Sequence, residues 1–245
     1  MAARDQAEGR LSLLHRTDGS ATFSFGGYTI IASVNGPIEA QRREENPFEA
    51  VLDVVVRPAA GVGGTRERQL ESMLQAVLRQ LVLVQRWPRC VFQVTLQIAQ
   101  NPTNDYVNSK VVQAQSNILA FPALLHAAQL ALLSGAVALK SIAAAVVVAL
   151  PQGFPKSSAI VNPSPLAANE ATSLHLVGFS QKGSLLLTES EGRFTEADWE
   201  AAIETGRQSC QSNGANAVGE DETPDMGQFL RSITEARLAS DLNWR

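Results

Sequence analysis

Apolar and polar positions near the start of the chain form two β-rich runs, residues 21–25 and 28–34. Gly26-Gly27 separates them, and both glycines can adopt the positive φ angles that a tight hairpin turn requires. The pattern therefore predicts a β-hairpin. We expect Asn35-Gly36-Pro37 to end its second strand, because this tripeptide is typical of a turn.

Helical spacing begins after a further strand predicted at residues 50–56. A set of apolar residues recurs at three- and one-residue steps and gives a helix one apolar face: Leu70, Met73, Leu74, Val77, Leu78 and Leu81. The glycine-rich loop of residues 61–64 opens this helix. Its free N–H groups, with Arg66 and Arg68, could hold an anion; the alternative is a surface loop with solvated arginines.

The most apolar segment, residues 118–150, contains Lys140 as its only formal charge. It is longer than the ~20 residues of a membrane-spanning helix. Polar and helix-breaking residues interrupt it, and its valine-rich end is typical of a buried strand. We therefore predict a buried helix at residues 120–133, a central strand at 142–150, and no membrane partner.

The remaining pattern predicts strands at residues 91–98, 159–162, 173–179 and 184–189, with a proline-broken loop after Asn162. Thr195 and Asp198 have the spacing of a helix capping box. We expect an α/β (α+β) fold with one domain of mixed β-sheet and packed helices over residues 11–210. Residues 1–10 are expected to be flexible and 211–225 an acidic flexible linker, while the tail at 226–245 could be a short helix or frayed.

Charge and composition narrow the function classes. The 245 residues include 20 basic and 24 acidic side chains, a net charge of −4, so no chain-wide basic field attracts nucleic acid. Cys90 and Cys210 are far apart in sequence, which favours reduced thiols and an intracellular protein. The three histidines lack metal-ligand spacing, and Gly178-Phe179-Ser180-Gln181-Lys182-Gly183 is a hairpin turn rather than a nucleophile elbow. We predict no cofactor and no metal.

Several motifs follow one another along the chain: residues 16–21, 26–37, Glu39, Arg66 with Glu71, 94–97, 131–137, 160–163 and 190–194. Their order resembles the RNase PH-like subunits of the eukaryotic RNA exosome, and within that group the compact ring subunit without long terminal extensions. The resemblance covers residues 11–208, and its N-terminal part is the most specific. It implies a ring of six related subunits with cap subunits, an associated exoribonuclease, RNA in the central pore, and a location in nucleus, nucleolus and cytoplasm.

Active members of that family hold phosphate on a glycine- and arginine-containing loop before the alanine-rich helix, and they place acids after the valine strand. This sequence has Asn117, Ile118 and Leu119 at the first place and Asn162 at the second, with Glu170 slightly beyond. Asn cannot ionise, and Leu cannot bind phosphate as Arg does. The resemblance therefore implies a non-catalytic, structural ring subunit.

RNA contact is expected at Arg66, Arg68, Arg42 and Arg43. One alternative is an active phosphate-dependent 3′→5′ exoribonuclease that uses Glu170 or Asp105. Another is a free-standing nucleic-acid-binding module, against which the acidic balance of the chain argues.

Overall fold

The computed structural model describes residues 7–43, 45–102, 117–151, 159–211 and 226–243. Contacts within the chain separate two units, Met1–Ser141 with Leu230–Arg245, and Ile142–Phe229. Each unit is described by itself below. The sequence predicted one domain over residues 11–210, and this division is a feature that the hydrophobic pattern does not reveal.

The first unit is built on a five-stranded sheet in the order β1-β2-β3-β5-β4. All neighbouring strands are antiparallel except β4 and β5, which are parallel. Two helices of this unit, α1 and α2, pack against the sheet. The bounds are β1 (Glu8–Leu11), β2 (Gly19–Phe25), β3 (Tyr28–Glu39), β4 (Val51–Arg57), α1 (Thr65–Leu81), β5 (Cys90–Gln100) and α2 (Phe121–Ser134).

The predicted hairpin is confirmed, with Gly26 at φ +59° and Gly27 at φ +81° between β2 and β3. The predicted end of β3 is wrong, because the strand continues through Asn35-Gly36-Pro37 to Glu39. A register shift between Asn35 and Ile38 accommodates the proline, and pairing with β5 then resumes at Ile38 and Val91. Residues 8–10, predicted to belong to a flexible N-terminus, instead form β1 together with Leu11.

Helix α1 closes the outer edge of β4 with two side chains. The backbone N–H of Val56 donates to Glu71 Oε1 at 2.8 Å, and Gln75 Nε2 donates to the carbonyl of Leu52 at 2.6 Å. An edge strand otherwise leaves such groups to solvent or to another chain. The apolar face predicted for this helix is confirmed, and most of it is buried against the sheet.

We expect Glu71→Ala and Gln75→Ala each to lower the free energy of unfolding by about 1 kcal/mol, since each removes one hydrogen bond to β4. Urea unfolding followed by circular dichroism measures the effect. The control is Gln69→Ala on the same helix, at an exposed position. Equal unfolding midpoints for all three variants would contradict a role in holding the edge.

Helix α2 confirms the predicted alanine-rich helix, and every residue from Phe121 to Leu132 is buried. It packs against β2 and β3. Close approach to β2 depends on Gly19, where an added Cβ atom would lie 2.3 Å from the carbonyl oxygen of Ala131 and 2.5 Å from the nitrogen of Gly135. Among the described residues, no helix is long and apolar enough to span a membrane.

The second unit contains a four-stranded antiparallel sheet in the order β7-β6-β8-β9. Helix α4 packs against β6 and β8, and its Ala202 joins Val146, Val177 and Phe179 in the core. The bounds are β6 (Ala143–Pro151), β7 (Ile160–Val161), α3 (Pro165–Glu170), β8 (Ala171–Ser180), β9 (Leu185–Gly192) and α4 (Glu196–Gln211).

Three predictions for the later part of the chain have an outcome. The capping box is confirmed, because Thr195 N–H donates to Asp198 Oδ2 and Asp198 N–H donates to Thr195 Oγ1. The loop predicted after Asn162 instead contains helix α3, whose Ser164 side chain accepts the N–H of Ala167 at the N-cap. The tail forms helix α5 (Met226–Leu242). Most of the predicted linker, residues 212–225, lies outside the described residues.

Candidate functional site

The glycine-rich loop leads into α1 as predicted, but the start of this helix already contains a carboxylate. Glu67 Oε2 accepts the N–H of Gly64 at 2.7 Å, and Glu67 Oε1 accepts Arg66 Nε at 3.0 Å. Both side chains are buried. Burial raises the pKa of Glu67, but the hydrogen bonds from Gly64 and Arg66 outweigh it and hold the pKa below its ordinary value.

This arrangement changes the interpretation of the loop as an anion site. The Glu67 carboxylate accepts N–H groups at the positive end of the helix, where a phosphate would otherwise bind. Arg66, predicted to contact RNA, is only 9% exposed and pairs with Glu67. Arg68 is exposed at the same end of α1.

Arg42 and Arg43 are exposed in the turn that follows β3. This turn leads to the start of β4, whereas Arg66 and Arg68 follow its end. A strand rises about 3.3 Å per residue, so the seven residues of β4 separate the two arginine pairs by roughly 20 Å. The structure therefore places the four predicted RNA contacts at two separate positions of the first unit.

In the first unit, the three residues at the predicted phosphate-loop position have structural contacts. The Asn117 side chain accepts a hydrogen bond from the Tyr28 hydroxyl at 3.2 Å. Ile118 is buried and begins a 3-10 turn, Ile118–Ala120, while Leu119 is partly buried. Asn117 and Ile118 therefore attach the start of α2 to the β2–β3 hairpin and to the core, and none of the three side chains is a cation.

In the second unit, Asn162 ends β7 in the left-handed conformation, with φ +50°. Asn adopts this conformation more readily than most residues. Its N–H donates to the carbonyl of Val147 at 2.7 Å, and its Oδ1 accepts the N–H of Val147 at 3.3 Å. Glu170 is the last residue of α3 and is exposed. Asn162 thus has a structural role in ending the β6–β7 pair.

The N-terminal motif that carries much of the family resemblance also has a structural role. Asp18 Oδ2 accepts the N–H of Gly36 at 2.7 Å, and Ser20 Oγ accepts the N–H of Leu14 at 3.0 Å. The bond of Asp18 joins the motif to the bulge of β3, the bond of Ser20 fixes the segment before β2, and Gly19 contacts α2. Sequence reasoning used the motif only as a family marker, and its acid–glycine–serine spacing was the signal for this connection.

Two histidines are buried in the cores of their units, and His15 is exposed. His175 Nε2 and Nδ1 bond to the hydroxyls of Ser173 at 3.0 Å and Ser190 at 2.8 Å, as expected for a hydrogen-bonded core residue. Burial lowers the pKa of His175, and the charge of Asp198 opposes the shift. The ring of His126 packs edge-on against Phe23, and burial lowers its pKa to about 3. The described residues contain no cluster of three metal-ligating side chains.

Comparison with known proteins places this architecture in a family. The sequence profile of the 3′ exoribonuclease family, domain 1 (RNase PH), matches residues 7–138. The chain belongs to this family.

Individual relatives agree with that placement. The chain is 34% identical over 212 residues to the exosome complex component RRP46 of Saccharomyces cerevisiae, covering 84% of this chain and 90% of the relative. It is 26% identical to the human exosome complex component MTR3, with coverages of 82% and 76%. The resemblance to exosome ring-type subunits predicted from the sequence is confirmed.

Solved structures confirm the predicted fold class. The crystal structure of rice Rrp46 superposes with a TM-score of 0.72 at 20% identity, covering 96% of this chain and 95% of that chain. The Archaeoglobus fulgidus exosome with RNA bound to the active site gives a TM-score of 0.65 at 12% identity, with coverages of 83% and 86%. At these identities the superpositions establish the fold.

Proposed function

We propose that this chain is a non-catalytic structural subunit of an RNA exosome, in which it completes a six-membered ring of RNase PH-like subunits. The family membership and the similarity to relatives named exosome complex components support the ring role. In the proposed complex, the partners are the other ring subunits, the cap subunits, an associated exoribonuclease and RNA. The complex acts in the nucleus, the nucleolus and the cytoplasm.

The observation that carries the non-catalytic part of the proposal is the set of contacts at the family's reactive positions. Asn117 and Asn162 have their carboxamide oxygens hydrogen-bonded to Tyr28 and to the backbone of Val147. Neither side chain can ionise. Phosphorolysis needs a bound phosphate and groups that stabilise charge and transfer a proton at the leaving oxygen. These side chains supply structural hydrogen bonds instead.

The RNA path is proposed to include Arg68, Arg42 and Arg43, which are exposed, and Arg66 at the buried start of α1. Arg66 is held by Glu67, so its guanidinium reaches RNA only if that pair opens. We assign the stronger phosphate contact to Arg68 for this reason.

Native mass spectrometry of the chain purified from its own cells tests the ring role. We expect one copy of the chain with five related subunits and cap proteins. A lone chain or a homo-oligomer would contradict the proposal.

A second assay tests the absence of catalysis. The chain, alone and with a ring neighbour, is incubated with RNA in the presence and absence of inorganic phosphate. We expect no release of nucleoside diphosphates under either condition. Phosphate-dependent release would instead support the active exoribonuclease, and Glu170→Gln would then test the exposed acid at the end of α3.

A further inference from the structure

One exposed surface of the first unit lies between β3 and β4 and is organised around the backbone of Arg89. The N–H of Ala40 donates to the carbonyl of Arg89 at 3.0 Å, and the N–H of Arg89 donates to the carbonyl of Asn46 at 3.0 Å. Both ends of the turn that carries Arg42 and Arg43 are therefore attached to a single residue. The backbone thus holds three arginines in one region of the surface.

Residues 46–49 form a loop that hydrogen bonds hold in place, while the side chain of Phe48 is exposed to solvent. Asn46 Oδ1 accepts the N–H of Phe48 at 3.1 Å, and Asn46 Nδ2 donates to Glu49 Oε1 at 3.1 Å. Glu49 also forms an ion pair with Arg79 of α1. Phe48 is nevertheless 82% exposed. Because the backbone of the loop is already ordered, binding through this ring costs less conformational entropy than binding through a mobile loop.

The 3-10 turn Val84–Arg86, which carries a fourth arginine, is attached to the same loop. The N–H of Ala50 donates to the carbonyl of Val84 at 2.9 Å. Arg86 lies over the ring of Trp87, with its guanidinium carbon 5.9 Å from the ring centroid. The Phe48 surface is therefore defined by Arg42, Arg43, Phe48, Arg86 and Arg89.

The charges of the Phe48 surface are not neutralised within the described residues. None of its four arginines forms an ion pair with a carboxylate in the described part of the chain. Glu39 and Glu45 are exposed nearby in sequence, and Glu49 is engaged by Arg79. The surface thus combines one exposed aromatic ring with guanidinium groups available to an anionic partner.

We propose that the Phe48 surface binds single-stranded RNA, with Phe48 stacked on one unpaired base and Arg42, Arg43 and Arg89 contacting phosphates. Single-strand binders combine a stacking platform with basic side chains that follow the backbone. One ring among arginines offers less apolar area than the core of a standard protein–protein interface. The inference rests on the proposed function, because it adds a stacking side chain, Phe48, to the part of the proposed RNA path that contains Arg42 and Arg43.

The first test measures binding of the full-length chain to a fluorescently labelled oligouridine. We expect Phe48→Ala to weaken binding about tenfold and Phe48→Tyr to retain it, because a tyrosine ring also stacks. A duplex of the same length should bind the wild-type chain more weakly, since its bases are already stacked. Leu166→Ala is the matched control: Leu166 is 77% exposed and lies in the second unit, so affinity should not change.

The second test separates phosphate contacts from stacking. On single strands, each phosphate neutralised contributes about 0.7 to the slope of log affinity against log salt. The double variant Arg42→Gln/Arg43→Gln should therefore reduce the slope by about 1.4, while Phe48→Ala should weaken binding without changing it. Arg68→Gln in the same assay tests the other position independently.

The third test uses the complex purified from cells, photo-crosslinked to RNA containing 4-thiouridine. We expect crosslinks at Phe48 or beside Arg42, Arg43 and Arg89. The proposal is overturned by wild-type affinity in Phe48→Ala, by a wild-type chain that neither binds oligouridine nor crosslinks at this surface, or by a Phe48→Ala chain that binds RNA normally but loses co-purifying subunits. The last result would assign the surface to a protein partner. Failure of the proposed function is a different result, in which the wild-type chain purifies without ring subunits.

Discussion

Gly19→Ala is expected to destabilise the protein by about 3 kcal/mol, because overpacking against backbone atoms costs at least as much as overpacking a core. The added Cβ would lie 2.3 Å from the oxygen of Ala131, and 2.5 Å and 2.7 Å from the nitrogen and Cα of Gly135. These atoms belong to the C-terminal end of α2 and its cap, which cannot rotate away as a side chain does. Strand β2 and helix α2 must therefore separate.

Urea unfolding of the full chain, followed by circular dichroism, measures this loss. Gly63→Ala is the matched control, because an added Cβ there meets its nearest neighbour at 3.7 Å, an ordinary contact distance. We expect the control to stay within about 0.5 kcal/mol of the wild type, as substitutions away from special features do. Similar midpoints for Gly19→Ala and Gly63→Ala would mean that β2 and α2 are not in close contact in solution.

The second large expected effect is a loss of folding stability at acid pH. Burial lowers the pKa of His126 to about 3, while an unfolded histidine titrates near 6.5. Between these two pH values the unfolded chain binds a proton that the folded chain does not, so stability decreases as pH falls. The slope approaches about 1.36 kcal/mol per pH unit below pH 6.5, so lowering the pH from 6.5 to 4.5 should cost about 2 kcal/mol at this residue.

Comparison of the wild-type chain with His126→Leu isolates this effect. We expect the variant to lose most of the decline between pH 6.5 and 4.5, with a residual slope from His175, whose pKa burial also lowers. Glu67 contributes only at lower pH, because its depressed pKa stabilises the fold until pH falls below the ordinary carboxyl range. The matched control is His15→Leu, at an exposed position. An unchanged slope in His126→Leu would exclude His126 as the source.

Long segments with clear periodicity were predictable from the sequence. The face of α1, the buried α2 and the hairpin at Gly26-Gly27 each follow from local spacing. The continuation of β3 past Pro37 was not predictable, because it depends on a bulge that restores pairing with β5, a strand more than fifty residues away. Helix α3 is only six residues long and begins at a proline, so a loop and a helix have the same local signals.

The chemistry of the candidate site was likewise only partly predictable from the sequence. The resemblance implied that Asn117 and Asn162 lie where active family members carry reactive groups, but not that both serve as hydrogen-bond acceptors within the fold. Arg66 was chosen as an RNA contact for its charge, and only the structure reveals that its neighbour Glu67 neutralises it. Phe48 was missed because a single aromatic residue in a polar turn has no sequence pattern. Its place in the fold depends on Asn46, which forms hydrogen bonds with Phe48, Glu49 and Arg89.

The outer edge of β4, which α1 covers, affects how readily the chain aggregates before assembly. An open strand edge is a template on which copies of the same chain can aggregate. Glu71 and Gln75 bond to backbone groups at this edge from within the chain. Helix α1 therefore protects the edge of β4 from pairing with other chains before the subunit is assembled.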